Sequence, residues 1–314
     1  MFAIVAGCAA AADPARFSVP VLGYVPDDAA KSIRPVAGFP GAAVVGGALD
    51  LGSAKWTAVS PRQDFAIATD ADAVRIVSLT DFTSRILTSA LDRPSSAFFS
   101  PNGTAIALYR RSRSALRIFT QLPETPAPGY QIDLGILGAN LQSAAISDDG
   151  ELALLLAGSP GNATLWLSRS GGVPVKLDAP SSLAAIGFES GRDRAIAAAQ
   201  DGSLYLFDNL STGQESRLLL PASNRLASPA AVAFSSDAAR VLVATRAGDV
   251  AAVGVADGAT VFASCGCRPT TLSPLSSHML RLNELSGGPL MLVDTADPQL
   301  HVWFVPAIRE GSAQ

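Results

Sequence analysis

The stretch Phe98-Phe99-Ser100-Pro101-Asn102-Gly103 followed by TAIALY (104–109), and its counterpart Ala145-Ile146-Ser147-Asp148-Asp149-Gly150 followed by ELALLL (151–156), decide how this chain is read. Each joins a short apolar run to a second apolar run through a tight, serine-led turn. The same order returns at Ala58-Val59-Ser60-Pro61 before DFAIAT, Gly187-Phe188-Glu189-Ser190 before RAIAAA, Ala233-Phe234-Ser235-Ser236-Asp237 before RVLVAT, and Thr271-Leu272-Ser273-Pro274 before HMLRLN. The anchors at 60, 100, 147, 189, 235 and 273 lie 40, 47, 42, 46 and 38 residues apart, which gives each repeat room for four short strands.

A unit of that size cannot bury its own faces, so units must stack on one another, and a closed ring leaves no terminal unit exposed. The expectation is an all-β fold, a β-propeller of four-stranded blades. The turn pairs Asn102-Gly103, Asp149-Gly150 and Asp201-Gly202 can adopt the positive φ that tight turns require. Runs such as Leu152 to Ala157 are apolar throughout, as expected where both faces of a strand meet a neighbouring blade. Six units are explicit. Between Phe17 and Gly52, VLGYVPD and KSIRPV read as a hairpin and GAAVVGGALDLG as a glycine-rich continuation, so a seventh blade is expected there, with six blades plus an N-terminal hairpin as the alternative. The domain plan is 1–16 as an export signal or its remnant, 17–307 as one propeller, and 308–314 as a tail.

The stretch Asp201-Gly202-Ser203-Leu204-Tyr205-Leu206-Phe207-Asp208, followed by Ser211-Thr212-Gly213-Gln214-Glu215, resembles a strand and turn of the WD-repeat and YVTN-like propeller superfamily, with Phe207-Asp208 where that family has Trp-Asp. The likeness extends over roughly residues 57 to 307. It implies a ring of blades and says nothing specific about function.

Composition narrows the rest. Of 314 residues, 48% are hydrophobic and only 16% charged, which excludes intrinsic disorder. A net charge of −4 gives no global attraction to a nucleic acid. Mean hydropathy is +0.30, yet no window reaches the length of a membrane-spanning helix. The apolar run Phe2 to Ala12, ending at Asp13-Pro14, reads as an export signal, and Val5-Ala6-Gly7-Cys8 resembles a lipobox, making Cys8 a candidate lipid anchor. An extracytoplasmic location follows: periplasm, cell envelope or medium. There, Cys265 and Cys267 are a candidate disulfide, because the two histidines, His278 and His301, do not stand at zinc-ligand spacing from them.

Motifs of catalysis are missing: there is no G-x-S-x-G, S-x-x-K or H-E-x-x-H. No phosphate loop forms around Gly41, Gly46 and Gly47, so no cofactor is expected. What stands out is charge on the connections. Asp50, Asp92 and Asp178 each precede an innermost strand, and Arg93, Arg111, Arg113, Arg225, Arg246 and Arg268 fall on connections or hairpins that the propeller topology would bring to the same channel mouth. Arginine can hold carboxylates or phosphates bidentately. The expected function is therefore a non-enzymatic, exported propeller that binds a protein or peptide partner through these loops. The alternative is a metal-dependent hydrolase of the lactonase type, with Asp50, Asp92 and Asp178 around a divalent cation.

Overall fold

The computed structural model describes residues 19–70, 73–88, 94–285 and 288–306. They form seven antiparallel sheets, each built from strands consecutive in sequence and each ordered from an inner to an outer strand. The blades span 21–45, 56–86, 96–133, 141–176, 183–220, 229–264 and 273–305, and are numbered 1 to 7 in that order. Seven is the blade number, as the segment after Phe17 led one to expect. Blades 2 to 7 have four strands, whereas blade 1 has three among the described residues: Val21–Asp27, Ser32–Ala37 and Val44–Val45. No helix in the described chain is long and apolar enough to cross a membrane.

Alternation explains why strands that are apolar on both faces fit here. Along Leu152–Ser159 of blade 4, Leu152, Leu154 and Leu156 pack with Ala195, Ala197 and Phe207 of blade 5. The intervening Ala153 and Leu155 pack with Ala105, Ala107, Leu116 and Ile118 of blade 3. One strand thus serves two interfaces. Each leucine so buried contributes about 1.5–3 kcal/mol.

The serine-led turns are hydrogen-bonded devices. In blade 4 the Ser147 hydroxyl donates to Asp149 at 2.6 Å and accepts from the Leu152 N–H at 2.9 Å. Blade 6 repeats it, with Ser235 donating to Asp237 at 2.5 Å and accepting from the Arg240 N–H at 3.0 Å. In blade 3, Ser100 accepts from Ala105 at 3.0 Å while Asn102 takes the N–H of Thr104 at 2.9 Å. The following glycines, Gly103 and Gly150, have φ of 74° and 73°, the left-handed region that favours glycine. Blade 5 places Glu189 where the serine stands, buried and held by Arg192 and Arg194 at 3.2 Å each.

Among the described residues no strand is shared between the first and last blades, and side chains join them. Val25, Val36 and Val45 of blade 1 bury themselves with Leu275, Met279, Leu290 and Val305 of blade 7. Gln63, in the turn of blade 2, accepts from the Tyr24 N–H of blade 1 at 2.6 Å and donates to the Pro274 carbonyl of blade 7 at 2.7 Å. Approach at this seam is close enough that a Cβ on Gly23 would stand 2.4 Å from the Leu275 carbonyl oxygen.

Candidate functional site at the hairpin rim

In blades 2 to 7 the strand order divides the connections between two rims. Turns joining strands one to two and three to four form a turn rim. Hairpins joining strands two to three, with the connections leading into each innermost strand, form a hairpin rim.

At the turn rim the channel widens into a cavity of about 820 Å³, lined by Val59, Phe98, Ile146, Ile186, Val232 and Leu272 among others and edged by Arg62, Ser190, Ser236 and Ser277. Its lining is mainly apolar. The charges around it are engaged within their own blade or with neighbouring blades. Asp148 accepts from the Asn102 N–H of blade 3 at 2.9 Å through one oxygen, and from Ser190 and the Gly191 N–H of blade 5 at 2.9 and 2.7 Å through the other. One carboxylate therefore bridges three consecutive blades. Asp193 takes the Ser211 hydroxyl and Arg194 the Asp208 carboxylate. Hydrogen bonding to the charged form holds Asp237 below the ordinary carboxylate value, first through Ser235 and then through the Ala239 N–H. Ser211 does the same for Asp193.

The hairpin rim differs, and blade 6 concentrates the difference. Arg225 lies in the 3-10 turn Asn224–Leu226 that leads into the blade, Arg246 in the hairpin between Arg240–Thr245 and Asp249–Gly254, and Arg268 on the connection leaving it. Arg225 sits over the Phe262 ring at 3.9 Å and pairs with Asp249 at 3.0 Å, so its guanidinium is fixed in place. Arg246 and Arg268 are exposed and make no ion pair with any described residue. Beside them Cys265 and Cys267 form a disulfide, and the Cys265 N–H donates to Gly248 of the same hairpin at 2.8 Å. This pairing agrees with the candidate disulfide. Arg111 and Arg113 stand three blades away, in the 3-10 turn Arg111–Arg113 of blade 3, with the Arg111 N–H donating to Ser95 at 3.3 Å.

Of the three aspartates expected at one mouth, Asp50 and Asp178 belong to the described residues. Leu49 donates its N–H to Ile33 at 2.9 Å and Ser32 bonds back to the Leu49 carbonyl, while Thr57 donates to the Ser32 carbonyl at 3.0 Å and Arg75 to the Leu51 carbonyl at 3.0 Å, so Asp50 lies at the hairpin rim, next to the hairpin of blade 2. Asp178 lies on the outer flank between blades 4 and 5, where its carbonyl meets Gln214 at 3.5 Å. Asp92 and Arg93 lie outside the described residues, as does Cys8. Among the described residues no group of three or more His, Cys, Asp or Glu could hold a metal ion. His301 lies 6.3 Å from the Trp303 ring, as strand packing suggested.

Sequence reasoning missed Gln63, Asp148 and Phe262. The only local signal for Asp148 was the doubled aspartate at 148–149: Asp149 serves its own turn, which leaves Asp148 free to reach its neighbours.

No protein-family model and no curated sequence matches the chain. Solved structures do. The β-propeller domain of Cps50 (Swd1) from Myceliophteria thermophila matches with a TM-score of 0.57 at 11% identity, covering 83% of this chain and 89% of that one. The WD40 repeats of RRP9 match with 0.55 at 12%, covering 80% of each. Kuenenia stuttgartiensis hydrazine synthase matches with 0.52 at 12%, covering 94% of this chain and 99% of that one. Likeness at this identity carries the propeller fold alone, and it agrees with the WD-repeat-like architecture read from the repeats.

Proposed function

We propose that this seven-bladed propeller is a non-enzymatic binding scaffold that engages the acidic groups of a protein or peptide partner at its hairpin rim. The observation that carries this is the exposed guanidinium set on blade 6, Arg246 and Arg268 beside the fixed Arg225, on loops braced by a rigid ring. Loops held in place by their scaffold lose little entropy on association. Arginine forks pair with carboxylates in two parallel hydrogen bonds. WD40 neighbours such as RRP9 make a role in protein interaction a natural reading of the fold.

The reading includes export. The apolar Phe2 to Ala12 run is its signal, with Cys8 as the lipid-bearing residue if the lipobox is used, and the Cys265–Cys267 disulfide suits an oxidising compartment.

The test is capture from envelope extract of the native host, with wild type and an Arg111→Ala/Arg246→Ala/Arg268→Ala variant in parallel at low and high salt. A partner retained by wild type, released by salt and lost by the folded variant supports the reading. Capture indifferent to these arginines refutes it.

A further inference from the structure

We propose that the Cys265–Cys267 disulfide is a thiol–disulfide exchange site that latches Arg268 to the blade 6 hairpin, so that reduction loosens the acid-binding rim without unfolding the blade. For what the arginines bind, the inference rests on the hairpin-rim reading. It starts from what this bond cannot do. The two cysteines stand two residues apart, and a cross-link that closes so short a loop removes little entropy from the unfolded chain. Nor does it join two blades, since both cysteines lie on the connection between Thr260–Ser264 and Ser273–Pro274. Its effect is local.

That effect falls on the tip of one hairpin. The Cys265 N–H donates to the Gly248 carbonyl at 2.8 Å, and Cys265 is 9% exposed among apolar residues of blades 6 and 7. Gly248 has a φ of 100°, and a Cβ there would stand 2.7 Å from the Cys267 carbonyl oxygen, so glycine is what lets the disulfide ring lie against the hairpin. Arg246 stands two residues before Gly248, and Asp249, the partner of Arg225 at 3.0 Å, directly after it. Arg268 directly follows Cys267. Beyond it the chain is next anchored by the Thr270 N–H, which donates to Leu282 of blade 7 at 2.8 Å. Among the described residues no backbone–backbone hydrogen bond holds residues 266–269, so the disulfide supplies their tether. Without it, Cys265 keeps its bond to Gly248 and its apolar neighbours, whereas Cys267 and Arg268 are released.

The surroundings also suit exchange. Cys267 is the more exposed of the pair, so an external thiolate meets its sulfur first. The Cys267 N–H donates to Cys265 Sγ at 3.1 Å, which favours the negative charge that gathers there as the S–S bond breaks. With a dithiol reductant the step balances. Its first thiolate bonds to Cys267 Sγ while the bonding pair leaves with Cys265 Sγ, and its second thiolate then displaces Cys267 Sγ. The reductant ends as a disulfide, and the ring ends as two thiols after taking up two electrons and two protons.

The test uses the full chain carrying Cys8→Ser, which leaves Cys265 and Cys267 as its only cysteines, either oxidised or reduced with dithiothreitol. The probe is a labelled hexaglutamate peptide. Reduction should weaken peptide binding about threefold, because a loosened arginine must be ordered again on association. It should shift the thermal midpoint by less than about 2 °C, and lower the backbone N–H order parameters of Gly266 and Arg268 from about 0.85 to below about 0.6. Arg246→Ala should keep the redox effect on binding, whereas Arg268→Ala should bind more weakly in both forms and lose that effect. Four results overturn the proposal: a midpoint that collapses on reduction, order parameters that reduction leaves unchanged, peptide binding by the oxidised chain that reduction does not weaken, or a redox effect that persists in folded Arg268→Ala. If neither form binds the peptide, it is the hairpin-rim reading that fails, and the order parameters and the midpoint then decide for or against the latch.

Discussion

The two rims of this propeller use the same residue types for opposite ends. At the turn rim, Asp148, Asp193, Asp237 and Gln63 direct their polar atoms at their own turns or at neighbouring blades. At the hairpin rim of blade 6, Arg246 and Arg268 reach into solvent. A charge that bonds within its own ring stabilises the ring and has less to offer a ligand. A charge left in water costs the fold almost nothing and keeps its bonding capacity for a partner. Where the polar atoms point, rather than how many charges a rim carries, separates scaffold from site.

The comparison breaks most easily at Asp148. Asp148→Ala leaves three donors from two blades without their acceptor, and should cost about 3 kcal/mol, read as a lower midpoint in denaturant melts. Gln63→Ala removes both stitches at the closing seam and should cost about 2 kcal/mol. If Gln63→Ala melts like wild type, apolar packing alone closes the ring. Ser147→Ala, which removes one buried hydroxyl from a single turn, should cost about 1–2 kcal/mol.

Acid sharpens the same contrast. Asp193 and Asp237 are held below the ordinary carboxylate value of 3.8 by hydroxyl and N–H donors. For Asp27, burial pushes upward, but the Ala30 N–H and Arg34 outweigh it and the net direction is also down. Groups depressed in the folded state contribute stability that is fully present above their unfolded value. It is lost as pH falls through their folded values. Stability should therefore hold down to about pH 4 and decline below it, with the decline reduced in a Ser211→Ala/Ser235→Ala background. An acid limb unchanged in that background would detach these turns from the pH response.

The smallest effect belongs to the hairpin rim. Arg246→Ala and Arg268→Ala should each change stability by less than about 0.5 kcal/mol. A larger loss at either would place that arginine in the framework instead of the binding face.

Much of this was legible in sequence because the blade repeat is local. The serine-led turn, its Asx partner and the following glycine lie within four residues of one another, so Ser100, Ser147 and Ser235 announced their turns, and alternation announced strands buried on both faces. The hairpin VLGYVPD and KSIRPV likewise became Val21–Asp27 and Ser32–Ala37. The connections between blades were harder. Asp148 meets Gly191 and Gln63 meets Pro274 across long sequence separations that no local pattern encodes. The blade 6 arginines were found as residues, but their clustering, and the seating of Arg225 on Phe262, came only from the fold.

One paired measurement on the Arg111→Ala/Arg246→Ala/Arg268→Ala variant tests the division between rims most directly: its thermal midpoint, and its retention of the partner captured by wild type. The expected result is a midpoint close to wild type, consistent with less than about 0.5 kcal/mol per exposed site, together with loss of the partner. A variant that melts well below wild type, or that keeps the partner, would contradict the account.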